Sequence, residues 1–196
     1  MRAGEAVINL LLIGPPGSGK GTQGERLSRR LGLEHIAAGE LLRAEVAAQT
    51  PLGKQVAGYL ERGDLVPDEV ILDLVLPRVL AAAAADGYLL DGFPRSVEQA
   101  VEARRLAEQV GASPTAVLYL EAPRAELIRR ILARAAIEGR ADDNRATVEN
   151  RLEVFAEATH PLVECYRDRG LLHVIDAAQD EDVVTAAILA ALDGAY

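Results

Sequence analysis

The sequence is poor in residues that build disulfides and metal sites. Cys165 is the single cysteine among 196 residues, which excludes an internal disulfide and a cysteine-based zinc site; its apolar helical setting predicts a buried structural thiol. The three histidines lack the spacing of metal ligands, so we expect structural roles for them. No serine nucleophile motif or paired carboxylates stand out. The chemistry of this chain must rest on other side chains.

The chain also lacks long apolar runs and net positive charge. No apolar run approaches the roughly 20 residues that span a membrane, and the first five residues lack the apolar stretch of a signal peptide, so we expect a cytoplasmic protein without membrane contact. A net charge of −9 argues against a nucleic-acid surface. Only two of the 21 basic residues are lysines, and the arginine excess leaves room for bidentate phosphate contacts.

One motif dominates what is present, the segment GPPGSGKGT from Gly14 to Thr22. It follows the apolar run 7–13, which predicts a buried parallel strand, and it precedes a helical pattern. Its glycines allow successive N–H groups to turn around an anion, and Lys20 at the helix start adds a positive charge. The segment matches G-x4-G-K-[ST] except that Gly21 follows the lysine and the hydroxyl comes at Thr22. It therefore predicts nucleoside triphosphate binding.

Strand and helix patterns alternate along the rest of the chain. The predicted strands are residues 7–13, 35–38, 88–91, 115–121 and 171–175. The predicted helices include residues 21–31, 39–43, 52–62, 68–85, 97–110, 124–138, 146–169 and 180–192. The alternation predicts an α/β chain, a single three-layer P-loop NTPase domain over residues 1–196 with a central five-stranded parallel sheet flanked by helices. Ligands of such folds bind beyond the C-terminal strand ends.

Two further patterns fall near that edge. Asp91 ends a predicted strand, where it could order water around a magnesium ion, although a helix or turn cap is the alternative. Arg130 and Arg134 lie four residues apart on one helical face; Glu126 and Glu138 could instead pair with them as ordinary surface ion pairs. These patterns alone leave both interpretations open.

Four motifs in this order resemble those of the nucleoside monophosphate kinases, the adenylate kinases above all. They are GPPGSGKGT at 14–22, GELLR at 39–43, DGFPR at 91–95 and EGRADD at 138–143. The resemblance covers essentially the whole chain and implies Mg²⁺-dependent transfer of the terminal phosphate of ATP to AMP, giving two ADP. It also implies a helical NMP-binding insertion at residues 39–66, a short lid at 135–144 without zinc, and a monomer.

The resemblance assigns residues to each nucleotide. ATP would be bound by Gly17, Ser18, Gly19, Lys20, Gly21, Thr22, Arg130, Arg134 and the backbone of Gln179. AMP would be bound by Ala38, Arg43, Asp64, Leu65, Val66, Gly92, Phe93, Pro94, Arg95, Gln99, Arg140 and Arg151. Gln99 would bind the base, and Asp91 would hold Mg²⁺ through water. The residues expected to surround the transferred group are Lys20, Arg95, Arg130, Arg134, Arg140 and Arg151.

The sequence departs from the family pattern in two places. Ala37 and Ala38 replace two hydroxyl residues, which keeps CMP and UMP open as acceptors, whereas Gln99 favours AMP. Ala177 stands where the family has a glycine, and we expect this to shift the backbone of Gln179. A nucleotide-binding module without transferase activity is a third interpretation, and the retained phosphate-facing arginines argue against it.

Overall fold

Five parallel strands form one sheet in the computed structural model, which describes residues 7–138 and 144–193. The strands are β1 Ile8–Ile13, β2 Glu34–Ala37, β3 Gly87–Asp91, β4 Ala116–Glu121 and β5 Leu172–Asp176. They lie in the order β2-β3-β1-β4-β5. Because β1 is central and buried, the loop that follows it opens at the middle of the C-terminal edge.

Helices cover both faces of the sheet, which confirms the predicted fold class. They are α1 Lys20–Leu31, α2 Ala38–Ala47, α3 Pro51–Arg62, α4 Asp68–Ala83, α5 Val97–Val110, α6 Arg124–Glu138, α7 Arg145–Val154, α8 Pro161–Arg167 and α9 Glu181–Asp193. Alternate residues of β1 point to opposite faces. Leu11 and Ile13 join the core beneath α4, α5 and α8, whereas Leu10 and Leu12 join the core beneath α1 and α9.

The predicted single helix over residues 146–169 is wrong. The structure instead has α7, a π-helical turn at Phe155–Thr159 and then α8. Proline has no N–H to donate and its ring conflicts with a regular preceding turn, so Pro161 starts a new helix. In the turn before it, the His160 N–H donates to the carbonyl oxygen of Phe155 at 2.8 Å, a bond that spans five residues.

Cys165 in α8 is half-buried rather than buried.

Helices α2 and α3 form a hairpin between β2 and α4. Thr50 caps α3, because its Oγ1 accepts a hydrogen bond from the Gly53 N–H at 2.9 Å. A Cβ on Gly53 would lie 2.0 Å from the carbonyl oxygen of Glu45 in α2. The close approach of the two helices therefore requires a glycine at this position.

Among the described residues, no helix combines the length and apolarity that a membrane span requires.

We expect Gly53→Ala to lower the free energy of unfolding by about 2 kcal/mol, because its methyl group would overlap the backbone of α2. Urea denaturation measures the change. Gly58→Ala is the matched control in the same helix, since its Cβ would meet only the flexible tip of Arg62. Gly58→Ala should leave the free energy of unfolding unchanged or raise it by about 0.5 kcal/mol. Equal effects of the two substitutions would contradict the packing argument.

Candidate active site

The glycine-rich loop joins the central strand to α1. Gly17 has a φ of 82°, and a Cβ there would lie 2.6 Å from the carbonyl oxygen of Leu127 in α6. Gly19 has a φ of 90° and precedes the first residue of α1. A side chain at Gly17 would be strained and would also separate α6 from the loop. The N-terminus of α1, with its unpaired N–H groups and positive dipole end, opens into the cleft at this loop.

Lys20 occupies the inside of this loop. Its Nζ donates hydrogen bonds to the carbonyl oxygens of Gly14 at 2.7 Å and Pro15 at 3.0 Å. Burial of the ammonium group lowers the pKa of Lys20 to about 8, and the carboxylate of Asp91 opposes this shift. Three guanidinium groups add to the lowering, those of Arg95, Arg151 and Arg134. The ammonium group therefore lies near three guanidinium groups as well as the Asp91 carboxylate, in a place where an added anion would favour its charged form.

A cleft of about 680 Å³ lies beyond the C-terminal ends of the strands. It brings together most of the predicted phosphate-binding residues: Gly17, Ser18, Gly19, Lys20, Gly21, Thr22, Arg43, Asp91, Gly92, Arg95, Arg130, Arg134, Arg151 and Gln179. An adjoining small pocket of about 20 Å³ is lined by the predicted acceptor residues Ala38, Asp64, Leu65, Val66, Phe93 and Gln99. Pro94 lines a third cavity beside Lys20. Arg140 and half of the predicted lid, residues 139–143, lie outside the described residues.

Arg43 and Arg95 converge on Gly39. A Cβ on Gly39 would lie 3.5 Å from both terminal nitrogens of Arg43 and 3.7 Å from Nη2 of Arg95. The sheet explains this proximity, since β2 and β3 pair in parallel with Ala37 opposite Asp91, so the segments that follow them leave the same edge together. Two guanidinium groups beside an uncrowded backbone form a site suited to a phosphate.

The backbone of Arg95 is fixed on both sides. Its N–H donates to Oε1 of Gln99 at 2.7 Å, and its carbonyl oxygen accepts from Oγ1 of Thr159 at 2.7 Å. The Nε of Arg95 also donates to the carbonyl oxygen of Gly92 at 2.8 Å, and the Phe93–Pro94 peptide is cis. The sequence reading missed Thr159, which lies in the π-helical turn 64 residues away. The only local sequence feature that marks Thr159 is its position two residues before Pro161.

Arg130 is both an ion-pair partner and a residue of the cleft. Its Nε donates to Oε1 of Glu126 at 2.7 Å, and its Nη1 donates to the carbonyl oxygen of Ala177 at 2.8 Å. Hydrogen bonds from Arg129 and Arg130 lower the pKa of Glu126 to about 2. Arg130 can therefore form the ion pair with Glu126 and still belong to the nucleotide site. The ion pair and the hydrogen bond to Ala177 together hold Arg130 against the loop after β5.

That loop keeps a regular shape without the family's glycine. The Asp176 carboxylate accepts hydrogen bonds from the Ala178 N–H and from Nε2 of Gln179, each at 2.9 Å. Ala177 is buried and needs no left-handed conformation, because Gln49 is the non-glycine residue with positive φ in the part of the chain that the structure describes. Gln179 lines the cleft. The expected shift of the Gln179 backbone stays a prediction.

Asp91 is a buried carboxylate that lines the cleft. It is 9% exposed at the end of β3, and its Oδ2 lies 3.8 Å from Nε2 of His35. No group of three or more potential metal ligands occurs in residues 7–138 and 144–193. One carboxylate is nevertheless sufficient for Mg²⁺, which usually binds substrate phosphates and water with one or two protein carboxylates. The residues present therefore fit a magnesium ion that is bound together with a nucleotide.

Comparison with known proteins gives one consistent family. A family model described as adenylate kinase matches residues 12–171. The adenylate kinase of Thermus thermophilus is 47% identical over 192 residues, which cover 98% of this chain and 99% of that protein. That of Stenotrophomonas maltophilia is 43% identical over 187 residues, 95% and 100% of the two chains. That of Porphyromonas gingivalis is 45% identical over 167 residues, 85% and 86% of the two chains.

ATP binding should be accompanied by proton uptake at pH 8, because the bound phosphates raise the pKa of Lys20 from about 8 toward its usual value. Lys20 is roughly half protonated at that pH, so we expect about half a proton per ATP. Below about pH 7 the lysine is already charged, and the uptake should vanish. Calorimetry in two buffers of different ionisation enthalpy measures the proton number. A binding heat independent of the buffer at pH 8 would contradict the assignment.

Proposed function

The chain belongs to the adenylate kinase family, and we propose that the cleft described above is where it transfers the terminal phosphate of ATP to AMP. One observation carries this assignment: Lys20, Arg95, Arg134 and Arg151 line one cleft around the glycine-rich loop. Phosphoryl transfer requires positioning and charge neutralisation more than covalent chemistry. A cluster of fixed positive charges is therefore a sufficient catalyst for ATP + AMP ⇌ 2 ADP.

We assign ATP to the side of the cleft built by the glycine-rich loop and α6. The helix N-terminus and Lys20 are suited to its phosphates. Arg134 lines the same space from α6, and Arg130 is held against the loop after β5 by the Ala177 carbonyl. In this assignment the adenine of ATP lies between Arg130 and the backbone of Gln179.

We assign AMP to the opposite side, with its phosphate between Arg43 and Arg95 and its base at the small pocket that Gln99 lines. The wall of that pocket contributes Asp64, Leu65, Val66, Gly92, Phe93 and Gln99. Ala38 is buried there, and its methyl group offers no hydrogen bond to a base or phosphate. The missing hydroxyl keeps CMP and UMP as secondary acceptor candidates, whereas Gln99 favours AMP.

Magnesium would be held by the ATP phosphates and by water ordered by Asp91. When bound, it would neutralise part of the negative charge of the triphosphate. The chain's own contribution at this point is a buried carboxylate facing the ammonium group of Lys20. Gly21 gives the loop no hydroxyl directly after the lysine, which supports a metal held through water and phosphate oxygens.

Closure of the cleft would exclude water, the competing acceptor of the phosphoryl group. The two segments that we propose to move are the hairpin at 39–66 and the lid at 135–144. Contacts between α3 and α7 support a link between the hairpin and Arg151: Thr147 Oγ1 donates to the Glu61 carbonyl at 2.9 Å, and Asn150 Nδ2 donates to Oδ1 of Asp64 at 3.1 Å. Closing of the hairpin would then also move α7, the helix that contains Arg151.

We further propose that the enzyme acts as a monomer in the cytoplasm. Every residue assigned to the two nucleotides comes from one chain, so a partner chain is not needed to complete the described cleft. ATP and AMP are intracellular metabolites, which favours the cytoplasm. Sedimentation of the purified protein with and without nucleotides tests the oligomeric state.

An acceptor assay with AMP, CMP, UMP and GMP tests the proposed function. We expect AMP to be the preferred acceptor.

A variant tests the role of the lysine. Lys20→Met should lower kcat by a factor on the order of 10³, because the substitution removes a charge that stabilises the transition state. The circular dichroism spectrum should be unchanged. Lys54→Met is a matched control, since Lys54 is the other lysine of the chain and is exposed on α3. Negligible turnover of AMP, or equal losses in the two variants, would overturn the proposal.

A further inference from the structure

The side-chain amide of Gln99 is held by two partners of opposite character. Gln99 is 3% exposed near the start of α5. Its Oε1 accepts a hydrogen bond from the backbone N–H of Arg95 at 2.7 Å, and its Nε2 donates to Oδ1 of Asp68 at 2.7 Å. A backbone N–H can only donate, and an ionised carboxylate can only accept. The positions of the oxygen and nitrogen of this amide are therefore set by the surroundings.

Asp68 contributes this contact from a different element. It is the first residue of α4, where a carboxylate also suits the helix N-terminus, and it lies 31 residues before Gln99. The neighbouring Glu69 occupies the same first turn and is exposed. Both acidic residues stand in the first turn of the helix, but of the two only Asp68 accepts a hydrogen bond from the buried amide of Gln99.

The remaining hydrogen-bonding capacity of Gln99 determines which base it can bind. A primary amide has two N–H donors and two acceptor lone pairs, and the two contacts use one of each. One donor and one acceptor remain for a ligand at the small pocket that Gln99 lines. In this orientation the oxygen can accept from an exocyclic amino group while the N–H donates to a ring nitrogen. That pattern fits adenine and cytosine and opposes hypoxanthine, guanine and uracil.

We propose that Asp68 is a specificity-determining positioning residue, whose carboxylate fixes the amide of Gln99 so that the acceptor pocket selects bases with an amino group over bases with a carbonyl group. The inference rests on the proposed binding of the acceptor base beside Gln99. Reversing the amide would place its oxygen against the carboxylate of Asp68 and its NH₂ group against the N–H of Arg95. Two repulsive contacts would replace two hydrogen bonds.

AMP and IMP provide the sharpest test, because their bases have the same shape and opposite donors and acceptors at ring positions 1 and 6. The measured quantity is the ratio of kcat/KM for AMP to kcat/KM for IMP. We expect this ratio to be at least about 100 in the unsubstituted enzyme. Asp68→Asn should lower it about tenfold, because an asparagine amide can turn to meet either orientation of Gln99 and so removes one of the two repulsive contacts, leaving only the Arg95 N–H to oppose the reversed amide. The kcat/KM for IMP should rise in absolute terms.

Glu69→Gln is the matched control, since it removes one negative charge from the same helical turn and should leave the ratio unchanged. A fall of both kcat/KM values by the same factor in Asp68→Asn would overturn the inference and assign Asp68 a merely structural role. Asp68→Ser, with AMP and IMP binding measured by calorimetry, gives the same comparison without turnover. There too the preference for AMP should shrink, and an unchanged preference would count against the inference.

Gln99→Leu separates failure of this inference from failure of the proposed acceptor site. If Gln99→Leu abolishes the preference for AMP while both Asp68 variants retain it, the acceptor site stands and the role of Asp68 is refuted. If neither Gln99→Leu nor Asp68→Asn changes the ratio, the base does not bind beside Gln99, and both proposals fail at that point.

Discussion

The cleft depends on a concentration of positive charge that the fold holds together before any phosphate is bound. Lys20 is buried among guanidinium groups, and two loop carbonyls together with Asp91 compensate only part of its charge. Such an arrangement costs free energy in the unliganded protein. The parallel sheet, the helices on both of its faces and the tight glycine-rich loop provide the rigidity that keeps these charges in place. Binding of two nucleotides would place phosphate charge beside these positive groups.

The sheet order explains why distant residues share the cleft. Because β1 lies between β3 and β4, the glycine-rich loop emerges between Asp91 and the start of α6. The pairing of β2 with β3 brings Arg43 and Arg95 to one side of that loop. The segments after β4 and β5 bring Arg130 and Gln179 to the other side. Donor and acceptor assignments thus follow from which strand end supplies each residue.

The fold and most of the cleft could be predicted from the sequence because the strands are short apolar runs and the phosphate-binding motifs are local. Strand and helix ends were correct within one or two residues with two exceptions: α2 continues four residues beyond the predicted end at 43, and around Pro161 an apolar helical pattern continues through a break. The contacts of Thr159 with Arg95 and of Asp68 with Gln99 were missed. They join residues 64 and 31 positions apart, and one sequence carries no local signal for such pairs. The role of Arg140 stays a prediction.

The central claim is that one set of positive charges binds the phosphates of both nucleotides at once. A single ligand that joins two adenosines through five phosphates tests it most directly, through the midpoint temperature of thermal unfolding. We expect this ligand to raise the midpoint well beyond the increase given by ATP and AMP together at the same concentration, because it occupies both sites with one association event. An increase no larger than that given by ATP alone would contradict the account.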